Sequence, residues 1–263
     1  MYFKRKIIWI TGASSGIGEA LALAFIKEGA TVIASAPSAD ELEVSRAKTS
    51  APERFYVFPL DLARPDTIAP LAAEMIDRFG RIDILINNAG ISQRSNVLDT
   101  PIENDRKIME VDYFGAVILT KAVLPCMMAQ GGGHILCTSS MVGLFGFPLR
   151  SAYSAAKHAL HGFFESLRIE YYQSNIKVSI IIGGRIQTAI SMNALTADGT
   201  AYGRMDDGQK RGIHREKATR QILRGIRRNK REIWAGGSEL LMVLFKRWCP
   251  RLHFMIARKI KPT

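Results

Sequence analysis

A tyrosine and a lysine four residues apart, Tyr153 and Lys157, follow the serine pair Ser139-Ser140 along the chain. At that spacing two side chains share one face of a helix, a single turn apart. A phenol titrates near about 10 and is a poor base at neutral pH, but an ammonium beside it favours the phenolate. Tyr153 is thus a candidate general acid/base, Lys157 the group that tunes it, and Ser140 a hydroxyl able to orient a substrate oxygen. Tyr–Lys pairs on helices are common for structural reasons, so the chemistry depends on what the rest of the chain brings to them.

Short β-rich runs recur at Ile7–Ile10, Thr31–Ala34, Phe55–Phe58, Ile82–Ile86, His134–Thr138, Lys177–Ile182 and Glu232–Ala235. Between them lie stretches with helical spacing, among them Ile68–Arg78, Ile102–Met128 and Ala152–Tyr172. Continuously apolar strands separated by helices imply parallel pairing with both faces covered. The pattern predicts an α/β fold, a doubly wound, Rossmann-like parallel sheet of about seven strands in a single domain over 1–263. In such sheets ligands sit beyond the carboxyl ends of the strands, and the residues just after each run are the ones to inspect.

The first run leads into Thr11-Gly12-Ala13-Ser14-Ser15-Gly16-Ile17-Gly18 and then a helical stretch, Glu19–Lys27. A strand, a glycine turn and a helix start let backbone N–H groups approach a pyrophosphate that a Cβ would obstruct. The spacing is GxxxGxG rather than the general GxGxxG, and an ordinary tight turn is the competing reading. The third run closes on Asp61-Leu62, where a carboxylate can accept from an adenine amino group or cap the next helix. The fourth closes on Asn87-Asn88-Ala89-Gly90, small residues that leave room for a ribose and amides that can brace the sheet.

The ordered set TGxxxGIG, Asp-Leu, NNAG, Ser and YxxxK resembles the short-chain dehydrogenase/reductase family, in its classical-length branch, through about residue 190. The resemblance implies cofactor binding by Gly12, Ser14, Ser15, Gly16, Ile17, Gly18, Asp61, Leu62, Asn88, Ala89, Gly90, Tyr153, Lys157 and Thr188. It implies a catalytic role for Ser140, Tyr153 and Lys157, with Lys157 holding ribose hydroxyls and the nicotinamide ring helping to lower the tyrosine pKa. Asp112 stands where the family usually carries an asparagine that holds a relay water behind the lysine, and it is counted with the catalytic set. It keeps acceptor oxygens, lacks the amide donor and can carry a charge beside Lys157, so a slower proton relay is expected. Gly183-Gly184 replaces the usual Pro-Gly, which predicts a looser loop on the nicotinamide side.

At the end of the second run an acidic residue would select NAD and a nearby arginine NADP. Ala34-Ser35-Ala36-Pro37-Ser38 offers neither. With no carboxylate to repel a phosphate, and with Ser14, Ser15, Ser35 and Ser38 able to hydrogen-bond it, NADP(H) is favoured over NAD(H). The expected function is a hydride transfer between NADP(H) and a lipophilic ketone, aldehyde or secondary alcohol. The alternative, motivated by Asp112 and Gly183, is a cofactor-binding regulatory or scaffold protein with little turnover.

Residues 185–212 correspond to the family's substrate lid, where Met192, Leu195, Tyr202 and Met205 suggest an apolar substrate. Residues 213–263 read as a basic, amphipathic extension: a basic helix over Arg215–Arg231 and an amphipathic one over Glu239–Lys259, broken near Pro250. The net charge of +12 lies there, with 17 Lys/Arg against 5 Asp/Glu from residue 204 onward and 19 of each before it. Such a tail suits an anionic membrane surface or an acidic partner, or is simply a solvated helix face, or covers the substrate pocket or a subunit contact. Nucleic acid is disfavoured because no recognition motif accompanies the charge. A homodimer or homotetramer through the two long helices is expected from the resemblance. The three cysteines form no metal-ligand or disulfide pattern, no metal site is expected, and the apolar run before Thr11 is short for a signal peptide. A cytoplasmic protein, with peripheral membrane attachment as the variant, is the resulting expectation.

Overall fold

Seven parallel strands form the centre of the computed structural model, which describes residues 2–259: β1 Ile7–Thr11, β2 Thr31–Ser35, β3 Phe55–Val57, β4 Ile84–Asn87, β5 Gly133–Ser140, β6 Ile176–Gly183 and β7 Glu232–Ala235. They lie in the order β3-β2-β1-β4-β5-β6-β7, so the order in which strands are added reverses between β1 and β4. The helices are α1 Gly16–Lys27, α2 Ala39–Arg46, α3 Pro65–Phe79, α4 Ile102–Met109, α5 Gly115–Ala129, α6 Ser151–Glu170, α7 Asp207–Lys210, α8 Arg215–Arg227, α9 Leu241–Trp248 and α10 Pro250–Ala257. This is the doubly wound, single-domain architecture that the alternation of runs predicts. Met1 and residues 260–263, the end of the basic extension, lie outside the described residues.

Strand alternation splits the core into two layers. Ile8, Ile10, Val32, Ala34 and Ile86 face α1 and α8, against Leu21, Phe25, Ile222 and Ile226. Trp9, Ile33, Leu85, Ile135 and Ile180 face the other way, against Ile68, Met75, Leu119, Val123 and Phe164 of α3, α5 and α6. Both layers are fully buried, so the sheet cannot slip by one residue without exchanging its two faces. Register aligns the strand ends, with Thr11 opposite Ser35 and Ser140 opposite Gly183, itself opposite Ala235.

Two helices differ from expectation. The predicted helix over Ile102–Met128 is divided by one widened, five-residue turn at Glu110–Phe114. Such turns add a residue to the helix and rotate a side chain inward; here the inward residue is Asp112, 1% exposed. This stretch is apolar enough to cross a membrane by composition, but half of it is buried against the domain, and it reads as a core helix. The basic helix ends at Arg227 rather than Arg231, because Asn229 turns left-handed (φ 48°) and the Lys230 N–H closes onto Gly225 O. Pro250 opens α10, where its missing N–H costs nothing.

Phe164→Ala should lower stability by about 3–5 kcal/mol, the usual cost of emptying a filled core site. A thermal melt checks it, and an unchanged Tm would mean that the α6 face is not buried as described.

Candidate active site

The glycine turn after β1 is shaped by conformations and clearances that favour glycine. Gly12 and Gly16 hold positive φ (66° and 58°), a region costly for a residue with a Cβ. A Cβ on Gly12 would stand 2.9 Å from Ala89 Cα, and one on Gly18 only 2.1 Å from Gly12 O. The turn therefore lies flat against the β4 end, where the Thr11 hydroxyl accepts from the Asn88 and Ala89 N–H groups (3.0 and 3.1 Å). The Asn88 amide donates to Thr11 O at 3.1 Å, and its oxygen accepts from Thr138 at 3.2 Å. Asn87 donates to Thr120 at 2.9 Å, which braces the sheet as its type suggested.

Above this edge opens a cleft of about 560 Å³, within the range of cofactor sites. Gly12, Ser14, Ser15, Gly16, Ile17, Asp61, Leu62, Asn88, Ala89, Gly90, Ser140, Tyr153, Lys157 and Thr188 all line it. Thus fourteen residues singled out between positions 12 and 188 of the sequence converge on one cavity. Two do not line it. Gly18 acts underneath, allowing α1 to press on the turn. Asp112 lies behind the wall: its Oδ1 accepts from Ile91 N–H at 2.7 Å and its Oδ2 is 3.1 Å from Lys157 Nζ. Asp61 accepts from Ala63 N–H at 2.9 Å, so it shapes its own turn as well as facing the cleft.

Lys157 is 3% exposed, and its ammonium also donates to Thr138 O at 3.0 Å. Burial alone would lower its pKa, but Asp112 and then Tyr153 outweigh that and hold it above its ordinary value. The Tyr153 ring centroid lies 5.5 Å from the ammonium. The expected fall in the tyrosine pKa is not found. Burial raises it and Asp112 adds to the rise, outweighing the opposite pulls of Lys157, Arg150 and the Ser140 hydroxyl. Tyr153 is a neutral phenol here, able to donate a proton. Asp112 is itself raised by burial against the pull of Lys157 and the Ile91 N–H.

The two serines of the pair separate by strand alternation. Ser139 turns into α6, bonding Lys157 O (3.2 Å) and His161 Nε2 (3.0 Å), whereas the Ser140 hydroxyl lies on the Tyr153 side. At the β2 end, Ala36 and Pro37 line the cleft. Two of the four serines proposed for a phosphate are otherwise engaged: Ser35 is buried and accepts from Trp9 Nε1 (3.0 Å), and Ser38 caps α2 through Glu41 N–H (3.3 Å). Sequence reasoning also missed Thr11 and Thr138, whose roles depend on cross-strand register, and the Ser45, Lys48 and Arg215 side chains gathered on buried Glu19.

The segment 185–212 folds over the cleft, but Met192, Leu195, Tyr202 and Met205 do not line it or the two smaller cavities beside it. Leu195 is pinned down by backbone bonds with Ser92 and Arg94 (2.8 and 2.7 Å), and Tyr202 lies over the Arg94 and Arg204 guanidiniums. Glu239 grips the loop after β6, accepting from Arg185 and Gly237 N–H groups at 2.7 and 2.9 Å. A Cβ at Gly184 would meet this carboxylate at 2.2 Å, while Gly183 has room for a side chain. The bond to Glu239 ties the loop on which the Gly183 departure had predicted looseness.

The family described as short chain dehydrogenase matches residues 6–199. A Drosophila melanogaster protein named "Dehydrogenase/reductase SDR family protein 7-like" is 42% identical over 260 residues, covering 97% of this chain and 80% of its own. Among solved structures, a short-chain dehydrogenase from Streptomyces avermitilis superposes with a TM-score of 0.82 at 29% identity, over 99% of this chain and 100% of that one. A metagenomic short-chain oxidoreductase in complex with NADP gives 0.65 at 28% identity, over 69% and 84%.

Asp112 raises both Tyr153 and Lys157. Asp112→Asn should therefore shift ionisation of Tyr153 to lower pH. A spectroscopic tyrosinate titration, corrected with Tyr153→Phe, reads the shift; an unmoved curve would show that the carboxylate is not felt at the phenol.

Proposed function

Because the chain belongs to the short-chain dehydrogenase/reductase family and is an oxidoreductase of that kind, we propose that it transfers a hydride between NADP(H) and a lipophilic ketone, aldehyde or secondary alcohol, with Tyr153 as the proton-transfer group. The observation that supports this most is the shared wall: the glycine turn, Ser140, Tyr153 and Lys157 face one cleft. The residues fit a dinucleotide. The Gly12–Gly18 turn leaves a cradle that Cβ atoms would fill, and a Cβ at Gly90 would press on Asp112 Oδ2 and Lys157 Nζ at 2.9 and 3.0 Å.

When bound, the nicotinamide ring supplies or accepts the hydride. The turn and the start of α1 would hold the pyrophosphate, Asp61 the adenine edge, Asn88 to Gly90 the ribose side and Thr188 the carboxamide side. Lys157, fixed by Thr138 O and Asp112, would hold the ribose hydroxyls and place a positive charge near the phenol. Ser140 would hydrogen-bond the substrate oxygen, and Tyr153 would give that oxygen its proton in reduction or take it in oxidation. A cationic ring would add to the lysine's pull on the phenolate in the oxidation direction.

For NADP(H) over NAD(H), the support is the absence of a carboxylate among the β2-end residues lining the cleft, with Ser14 and Ser15 remaining as phosphate partners. A lipophilic substrate is supported by the apolar part of the neighbouring cavity of about 530 Å³, where Met141, Phe145, Phe147 and Met242 stand beside Arg185, Arg211 and Glu239. The segment 185–212 would be the lid. Met242 and Val243 of α9 pack on the Tyr153 side of the core, so the start of the extension would cover the substrate. Its outer face exposes Trp248, Phe254 and Met255 (76%, 65% and 48%) beside Lys246, Arg247 and Arg258, a composition suited to an anionic membrane surface. Peripheral attachment from the cytoplasmic side is therefore part of the proposal. Exposed Met128 on α5 and Ile169 on α6, with exposed Phe114 and Tyr172 beside them, support a homodimer or homotetramer.

Fluorescence titration should give tighter binding of NADPH than NADH. With a ketone panel, Tyr153→Phe should lower kcat by about a hundredfold or more while cofactor binding persists. Failure of both cofactors to bind would end the proposal; binding without turnover of any substrate would favour the regulatory alternative. The protein should sediment with vesicles containing anionic lipid, less so at high salt, and Trp248→Ser with Phe254→Ser should weaken it. Equal sedimentation with neutral vesicles would contradict an electrostatic attachment.

A further inference from the structure

Between Ser140, Tyr153 and the 185–212 segment lies a cavity of about 140 Å³ whose polar wall is built from Ser92, Arg94, Arg150, Arg185 and Asp206. Arg94 is 7% exposed and engages Asp206 through Nε at 3.2 Å and through Nη2. Arg150 Nη2 stands 2.7 Å from the same carboxylate. The Arg185 guanidinium lies over Gly208, where an added Cβ would come within 3.0 Å of Cζ. Three guanidiniums thus line the cavity, two of them paired with the one carboxylate, and no other acidic side chain lines it.

Fastening the 185–212 segment to the loop after β4 needs one such pair, and Arg94–Asp206 provides it. Arg150 adds a second guanidinium on the same carboxylate, and Arg185, exposed at the rim of the cavity, adds positive charge that this fastening does not use. Burying a guanidinium without full compensation is costly. Arg150 records that cost: burial and the neighbouring Arg94 pull it down to about 10 despite Asp206. An anion entering here would complete the charge balance, and a guanidinium pairs with the planar oxygens of a carboxylate or the face of a phosphate equally well.

We propose that Arg150 and Arg185 bind an anionic group, a carboxylate or a phosphate, carried by the carbonyl substrate itself, while Asp206 positions Arg94 and holds the cavity closed. This rests on the oxidoreductase reading above. Ser140 and Tyr153 line the same small cavity, so the anionic group lies only a few bonds from the reacting carbonyl carbon. The wider cavity beyond Arg185 and Met141 receives the apolar remainder. The substrate is then an amphiphile, not the purely lipophilic compound that the residues of the segment 185–212 had suggested.

The test compares ketones of matched length that are neutral, carry a carboxylate, carry a phosphate monoester, or carry a quaternary ammonium. The wild-type protein should reduce at least one anionic ketone with kcat/KM about tenfold or more above the neutral one, and added salt should raise KM for the anionic ketone alone. The carboxylate and phosphate arms identify which anion is meant. Arg185→Gln should erase this preference mainly through KM, and Arg185→Lys should restore part of it. Equal rates for neutral and anionic ketones, or a preference for the cationic one, would overturn the inference while leaving the oxidoreductase reading intact. Absence of NADPH binding would instead strike that reading. If no ketone turns over, calorimetry of non-reactive carboxylate and phosphate analogues with the NADPH-loaded protein decides: saturable binding weakened by Arg185→Gln supports the anion site, and no binding overturns it.

Discussion

A single buried ammonium organises the centre of this molecule. Lys157 cannot be taken from water without partners, and it meets them where three separate elements join. Thr138 O arrives on β5, Asp112 on the widened turn between α4 and α5, and the lysine itself on α6. The widened turn turns Asp112 inward, and Asp112 in turn accepts from the Ile91 N–H and so fixes the loop after β4. The Gly90 backbone passes close enough to both charges that a methyl group there would touch them. The ion pair is a weak source of stability, since the desolvation cost offsets most of the attraction. Its consequence is positional: it ties the strand edge that faces the cleft to the helix that carries Tyr153.

The rest of the fold serves to present that edge. Two buried layers fix the register of seven strands, and register sets which side chains emerge at the carboxyl ends. Strand alternation sends Ser139 into the helix and leaves Ser140 toward the phenol. The glycine turn depends on the same edge, because its close approach is to Ala89 and Asn88 at the end of β4. A single geometric condition, parallel strands in fixed register, thereby brings the turn, the serine and the Tyr–Lys pair to one cleft.

Much of this is legible in the sequence for a physical reason. Parallel strands buried on both faces must be continuously apolar, so Ile7–Ile10 and Lys177–Ile182 announce themselves, and the glycines mark conformations that other residues avoid. What was not legible depends on long-range partners. No local pattern shows that Ser35 serves Trp9, that the Arg94 and Arg150 side chains meet on Asp206, or that burial outweighs Lys157 at the phenol. The resemblance marks Asp112 as a weakened relay residue with a charge beside Lys157. The structure adds the contact itself, 3.1 Å from the ammonium, and the Ile91 N–H that holds the carboxylate there. The 185–212 segment shows the same dependence: Leu195 packs downward, while the small cavity beside the segment carries Arg94, Arg150 and Arg185 in its wall.

The central claim, hydride transfer coupled to proton donation from Tyr153, is tested most directly by isotope effects on a single turnover with a reducible ketone. Deuterium at the transferred position of the nicotinamide and deuterium in the solvent should each slow the wild-type reaction, the first because the hydride moves and the second because the phenolic proton does. An absence of cofactor oxidation with every carbonyl offered, or a turnover insensitive to both labels with chemistry shown to be rate-limiting, would contradict the account.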